Sequence, residues 1–260
     1  MELGLAGRRA VVTGGSKGIG LAIAHELAAE GAAVAICARS ADEVRSAEDA
    51  IAEHGGTVFA AVADVTRPDQ VEAFVAAAAE ALGGIDVLVN NAGAAHPGTF
   101  ETLTDEAWQG DLDVKLFSQI RCTRAALPHL RRSAAGRVIN INSVYARYPD
   151  PTFFATTVNR AACLNFSKAL AIDLGPEGIL VNSVNIGFVV TPQWENIRQR
   201  RAPDQTEEEF FGALAAKEVP LGRFGHVEEV SGLVAFLASD RASYLTGTSI
   251  DVAGGMGRYV

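Results

Sequence analysis

Residues 8–30 read RRAVVTGGSKGIGLAIAHELAAE, and this stretch decides the fold. Ala10, Val11 and Val12 form a short apolar run of the kind buried in a parallel sheet. Thr13-Gly14-Gly15-Ser16-Lys17-Gly18-Ile19-Gly20 follows, and then Leu21, Ile23, Ala24 and Leu27 recur at helical spacing. Strand, glycine-rich turn and helix start therefore come in the order that a dinucleotide site requires. Gly14 permits a tight turn, Gly18 lets backbone approach a pyrophosphate, and Gly20 lets the helix pack on the strand. Phosphate charge would rest on the free N–H groups at the helix N-terminus. Gly14, Ser16, Lys17, Gly18, Ile19 and Gly20 are the expected cofactor contacts of this turn.

The chain continues in the same rhythm. Ala33–Ala38 reads as a second strand with Arg39 at its end. An acidic residue there would bind the ribose 2′-hydroxyl of NAD, and none is present. Arg39 and Lys17 instead offer a planar fork and a point charge to a 2′-phosphate, which favours NADP(H) over NAD(H). A charged helix over 42–54 precedes a third strand, 57–62, with Asp64-Val65 past its end. Pro68 opens a helix that runs to Leu82, and Ile85–Val89 is a fourth strand leading into Asn90-Asn91-Ala92-Gly93. Repeated alternation of strand and helix means a parallel sheet with right-handed crossovers.

The chain of 260 residues can be one α/β domain with a full core, or at most two small ones, and 48% of it is apolar. A net charge of −9 speaks against nucleic acid as a partner. The first residues lack a signal-peptide core, and no apolar run is long enough to span a membrane. Cys37, Cys122 and Cys163 are odd in number and widely spaced, which suits reduced thiols in the cytoplasm and no metal site.

TGGSKGIG at 13–20, Asp64-Val65 and NNAG at 90–93 resemble the short-chain dehydrogenase/reductase family. The likeness continues through RVININS at 137–143, GILVNSV at 178–184 and the closing GTSIDVAGG, so it covers nearly the whole chain. It implies a single doubly wound Rossmann domain over 1–260, with about seven parallel strands and helices on both faces. It further implies that Asp64 and Val65 bind adenine, and that Asn90, Asn91, Ala92 and Gly93 line the other side of the cofactor. The segment 191–216 would be a lid over a small-molecule substrate, with Thr191 touching the nicotinamide carboxamide. Its Arg198, Arg200 and Arg201 could meet an anionic substrate or simply face solvent. A homotetramer or homodimer is expected through the two long helices, 104–130 and 155–174, which carry small residues such as Ala125, Ala126, Ala161 and Ala162. The tail GGMGRYV would pack at a neighbouring subunit.

The catalytic constellation departs from the family. Its usual Ser is followed by a Tyr thirteen residues on and a Lys four beyond, with an Asn on the earlier long helix. Ser143 is present, but Thr156 and Arg160 stand at the Tyr and Lys positions, and Lys115 replaces the Asn. Ile186-Gly187 replaces the Pro-Gly after the sixth strand. A Thr hydroxyl is a far weaker acid than a phenol of pKa about 10, and Arg160 stays protonated. Arg160 could still hold ribose hydroxyls. Lys115, directed toward the space left by Thr156, is the sharpest candidate for the missing acid/base; it could alternatively only fill space or pair with Asp111 or Asp113. Tyr145, Tyr148 and His96 are further candidates, each near the expected mouth of the site. The favoured expectation is an NADP(H)-dependent oxidoreductase of a small carbonyl or alcohol, with Ser143 polarising the carbonyl. A non-redox lyase or isomerase and an NADP(H) sensor are the alternatives.

Overall fold

A computed structural model of the chain describes residues 2–257. Its centre is a seven-stranded parallel sheet in the order β3-β2-β1-β4-β5-β6-β7. The strands are β1 (Arg9–Thr13), β2 (Ala33–Ala38), β3 (Val58–Val62), β4 (Val87–Asn90), β5 (Arg137–Ser143), β6 (Leu180–Ile186) and β7 (Ser249–Val252). β1 lies between β2 and β4 in parallel register, Val11 pairing with Ala35 on one side and Leu88 on the other. The chain order reverses at this point, so a crevice opens past the C-terminal ends of β1 and β4, where α/β sheets collect ligands.

Alternation along β1 sorts its side chains between the two faces of the sheet. Ala10 and Val12 join a core with Ile23, Leu27, Val34, Ile36, Val230 and Val234. Val11 points the other way, into a core with Val71, Phe74, Leu88, Leu130 and Leu174. Helices α1 (Gly18–Ala29), α2 (Ala41–Ala52) and α9 (Val227–Ala238) cover the first face. Helices α3 (Pro68–Leu82), α5 (Ser118–Leu130) and α6 (Phe154–Leu174) cover the second. A third, smaller apolar cluster forms around Phe188, Phe210, Phe211, Phe224 and Met256, beneath α7 (Pro192–Arg201) and α8 (Glu207–Glu218).

The helix expected over 104–130 is not uniform. It comprises α4 (Asp105–Leu112), a π-turn at Asp113–Phe117, and then α5. A π-turn adds a residue to the turn and leaves carbonyls under-used, and Ser118 Oγ takes one of them, donating to the Val114 carbonyl at 2.7 Å. Strand β4 begins at Val87, two residues later than expected; just before it the Asp86 carboxylate accepts a two-pronged pair from the Arg9 guanidinium at 2.7 and 2.8 Å. Of the expected tail contact, residues 258–260 lie outside the described residues. Among the described residues no helix is long and apolar enough to cross a membrane.

Candidate active site

The crevice past β1 and β4 is a cleft of about 680 Å³. Its cofactor half is built on the glycine turn. Gly14 has φ +66°, and a Cβ there would stand against the Ala92 backbone. A Cβ on Gly20 would collide with the Gly14 carbonyl oxygen and the Asn91 side chain. Asn91 pins this approach: its Nδ2 donates to the carbonyls of Thr13 and Gly14, both at 3.0 Å. Thr13 Oγ1 in turn accepts from the backbone N–H groups of Asn91 and Ala92. The turn and the end of β4 are thus one rigid unit.

Helix α1 has no side-chain cap at its N-terminus, whereas α2 is capped by Ser40. An uncapped helix start behind a glycine cradle fits a pyrophosphate. Ser16, Lys17, Gly18, Ile19, Arg39, Asp64, Val65, Asn91, Ala92, Gly93 and Thr191 all line the cleft. Asn90 does not. It is buried in the core, where its Nδ2 donates to Thr123 Oγ1 and Asn140 Oδ1. The last residue of β4 points into the layer between sheet and helices, and only its successor reaches the crevice. Asp64 holds its own turn, its Oδ1 accepting from Thr66 N and Oγ1 at 2.9 and 2.8 Å. Glu43 also lines this half, although nothing in the motif marks it. Its carboxylate accepts from Lys17 Nζ at 2.6 Å and from Ser16 Oγ at 3.3 Å.

The other half of the cleft holds Ser143, Lys115, Thr156, Arg160, Tyr145 and His96. Ser143 closes β5, and its Oγ accepts from the Tyr145 backbone N–H at 3.2 Å, which leaves its O–H to donate. Lys115 sits in the π-turn and is only 1% exposed. Its Nζ donates to the Ala94 carbonyl at 2.8 Å and to Asp111 Oδ1. An ammonium has three N–H groups, so one is left without a partner among the described residues. Burial pushes Lys115 down to about 8, the Arg160 cation adds to this, and Asp111 offsets only part of it.

Asp111 is the hub of this half. It is fully buried, and besides Lys115 its Oδ1 accepts from Thr156 Oγ1 at 3.3 Å and bonds His96 Nδ1 at 3.0 Å. Its Oδ2 accepts from Asn159 Nδ2 at 2.9 Å. Burial opposes ionisation, but the bonds from His96, Lys115 and Asn159 outweigh it and hold the carboxyl well below its usual range. The pairing of Lys115 with Asp111 was one of the open readings of the sequence; the roles of Asp111 and Asn159 as organisers were not foreseen. The available signal was the Asp-to-Lys spacing of four, which stacks both on one helix face.

Arg160 is half-buried, and its Nη1 donates to the Ile141 carbonyl at 2.8 Å. Its Nε has no partner among the described residues. A Cβ on Gly93 would press on the guanidinium, so the Arg also reaches the NNAG loop. Tyr145 stacks on Phe153, and burial, with Asp150 beside it, raises its phenol above the ordinary value. That makes it a weaker acid than a free tyrosine. Tyr148 does not line the cleft. The segment expected as a lid, 191–216, holds α7 and most of α8. Gln193 ties it to the opposite wall, its Oε1 accepting from Ala95 N at 3.2 Å, and Trp194 packs edge-on against Phe188. Arg198 pairs with Glu195 along its own helix, and none of the three α7 arginines lines the cleft. The three cysteines are buried and free, and no cluster among the described residues could hold a metal ion.

Residues 14–257 match the family described as Enoyl-(Acyl carrier protein) reductase. The short-chain reductase protein NovJ of Streptomyces niveus is 40% identical over 247 residues, 95% of this chain and 92% of its own. The L-sorbose reductase of Gluconobacter frateurii, solved with NADPH and L-sorbose, superposes with a TM-score of 0.97 at 34% identity, covering 100% of both chains. A short chain oxidoreductase of Pseudomonas aeruginosa PAO1, solved with NADPH and described as containing an atypical catalytic center, is 41% identical with a TM-score of 0.90, over 96% of this chain and 97% of its own. The chain belongs to the short-chain dehydrogenase/reductase family and is an oxidoreductase of that kind.

Proposed function

We propose that the protein is an NADP(H)-dependent oxidoreductase of a small carbonyl or alcohol substrate in which Lys115 moves the proton that a tyrosine moves elsewhere in the family. The observation that carries this reading is the unpartnered third N–H of a buried Lys115, on the cleft wall that also holds Ser143. Arg39 and Lys17 favour the 2′-phosphate, and the NADPH complexes of the similar structures support the same cofactor. When bound, NADPH supplies a hydride.

Every other duty falls to side chains of the chain. The Ser143 O–H donates to the substrate oxygen and orients the carbonyl. Lys115 gives a proton to that oxygen as it gains charge, and takes one back in the oxidative direction. A cation in a dry site also stabilises the developing negative charge before the proton moves. Arg160 stays charged and therefore only holds, reaching toward the ribose from beneath Gly93. Thr156 keeps Asp111 in place and does not itself ionise. Tyr145 serves as a wall. The segment 191–216 closes over the substrate, with Gln193 as its latch to Ala95.

Exposed Phe117, Val158 and Ile172 on the two long helices support a dimer or tetramer formed through that face. The free cysteines suit a cytoplasmic location. The test is single-turnover NADPH absorbance with a panel of ketones and diketones. Wild type should oxidise NADPH, Tyr145→Phe should do so at a similar rate, and Lys115→Met should lose at least about a hundredfold while binding NADPH normally, in line with general acid catalysis. Full activity in Lys115→Met would sink the reading.

A further inference from the structure

We propose that Asp111 and His96 form a proton wire that recharges Lys115 from solvent. The proposal rests on the reading of Lys115 as the proton donor. Each reduction forms a C–H bond from the hydride and moves the carbonyl π pair onto oxygen. The new O–H bond then takes its proton from Lys115, whose N–H bond breaks to leave a neutral amine. Lys115 is only 1% exposed, and its one open side faces the cleft, which substrate and NADPH fill during the reaction, so water does not reach that amine until product leaves. A second route, through side chains, would recharge it before then.

Among the described residues, one such route runs outward. The charged and titratable groups around Lys115 are Asp111 on its own helix, His96 on the loop after β4, and Arg160 and Cys163 on α6. Arg160 does not release a proton, and burial raises the Cys163 thiol. Thr156 and Asn159 are 6% and 4% exposed, and Thr156 leads only back to the cleft. The His96 side chain, by contrast, is 47% exposed at one end and bonded to Asp111 Oδ1 at the other. The same oxygen receives Lys115.

The steps balance. His96 takes a proton from water at Nε2, and its Nδ1–H bond then breaks as the proton passes to Asp111 Oδ1. That O–H bond breaks in turn as the proton moves to Lys115 Nζ, restoring the ammonium and the carboxylate. The ring then gives its Nε2 proton back to water and takes one at Nδ1 from water, which restores the starting tautomer with its N–H toward Asp111. Asp111 is a poor base while Lys115 is charged, because the cation beside it favours the carboxylate. Once Lys115 has given up its proton, that stabilisation is gone, and Asp111 accepts readily at the moment when a proton is needed.

The sequence holds four lysines, so the Lys115 ammonium can be followed by NMR in 15N-lysine-labelled protein, assigned with Lys115→Met. In His96→Ala the Nζ protons should exchange with D2O at least tenfold more slowly, and free imidazole should restore the wild-type rate. A merely structural role would open the site and speed exchange, so unchanged or faster exchange overturns the wire. With NADPH and the ketone panel, steady-state turnover of His96→Ala should fall about tenfold further than its first turnover does. Equal steady-state rates also overturn it. The reading of Lys115 as donor fails separately, if Lys115→Met turns over normally.

Discussion

Asp111 and Lys115 stand one turn apart on the helix between β4 and β5, and both are sealed from solvent with one carboxylate oxygen bonded to the ammonium. Taking two charges out of water costs several kcal/mol per ion, and mutual attraction repays it only when the remaining donors and acceptors are satisfied. Here Ala94, Thr156, His96 and Asn159 do most of that, at the junction of α4, α6 and the loop after β4. Such a pair is a poor device for stability and a reasonable one for holding a reactive ammonium in position.

Breaking it from one side should therefore be expensive. Asp111→Asn leaves Lys115 buried beside Arg160 without an anion, and we expect a loss of about 3 kcal/mol or more in urea unfolding. Lys115→Met combined with Asp111→Asn removes both charges and should recover most of that loss. Additive losses in the double variant would mean that the two groups do not interact.

The pH dependence follows from the same pair, and its sign differs between rate and stability. Reduction needs a charged Lys115, so kcat/KM for reduction should fall as pH rises through about 8, while the oxidative rate rises through the same range. Lys115→Met should abolish both limbs. For stability, the folded state gives up the Lys115 proton at about 8 and the unfolded chain at 10.5. Between these values the unfolded state binds more protons, so this group makes the protein more stable as pH rises. Asp111 is lowered relative to its unfolded 3.8, so its contribution is present above that value and is lost as pH falls below it. Urea midpoints of wild type and Lys115→Met from pH 7 to 10.5 should diverge accordingly.

The glycine turn offers a test without chemistry. A Cβ on Gly20 meets backbone at Gly14, and backbone cannot step aside as a side-chain tip can. Gly20→Ala should abolish NADPH binding, measured by fluorescence, and lower the melting temperature. Unimpaired binding would show that the turn and the Asn91 brace are looser than their hydrogen bonds imply.

Much of this was legible in residues 8–30 because a buried strand, a strained turn and an amphipathic helix each carry a local signature. Alternation then extended the sheet, and the substitutions at Lys115, Thr156 and Arg160 stood out against a spacing. What was not legible depends on contacts between distant segments. Asp111 reads only as a possible partner of Lys115, yet α6 closes over it and supplies Asn159 and Thr156. Asn90 reads like its neighbour Asn91, and the pleat sends one inward and the other to the crevice. The π-turn has no residue signature at all, since Asp113–Phe117 would serve equally in an α-helix.

Glu43 is the last residue of this kind. It comes from the first turn of α2, and its carboxylate holds the Lys17 ammonium that would otherwise meet the 2′-phosphate. Both side chains are well exposed, so the pair itself is worth no more than about 1 kcal/mol, and a phosphate dianion should displace it. The displaced carboxylate nevertheless stays nearby as a like charge. Glu43→Gln should therefore tighten NADPH binding about three- to fivefold at low salt and leave NADH nearly unchanged. The gain should shrink at high salt, where exposed charges are screened. Weaker NADPH binding in Glu43→Gln would mean that the carboxylate organises Lys17 and Ser16 for the cofactor, the reverse of the competition inferred from its position.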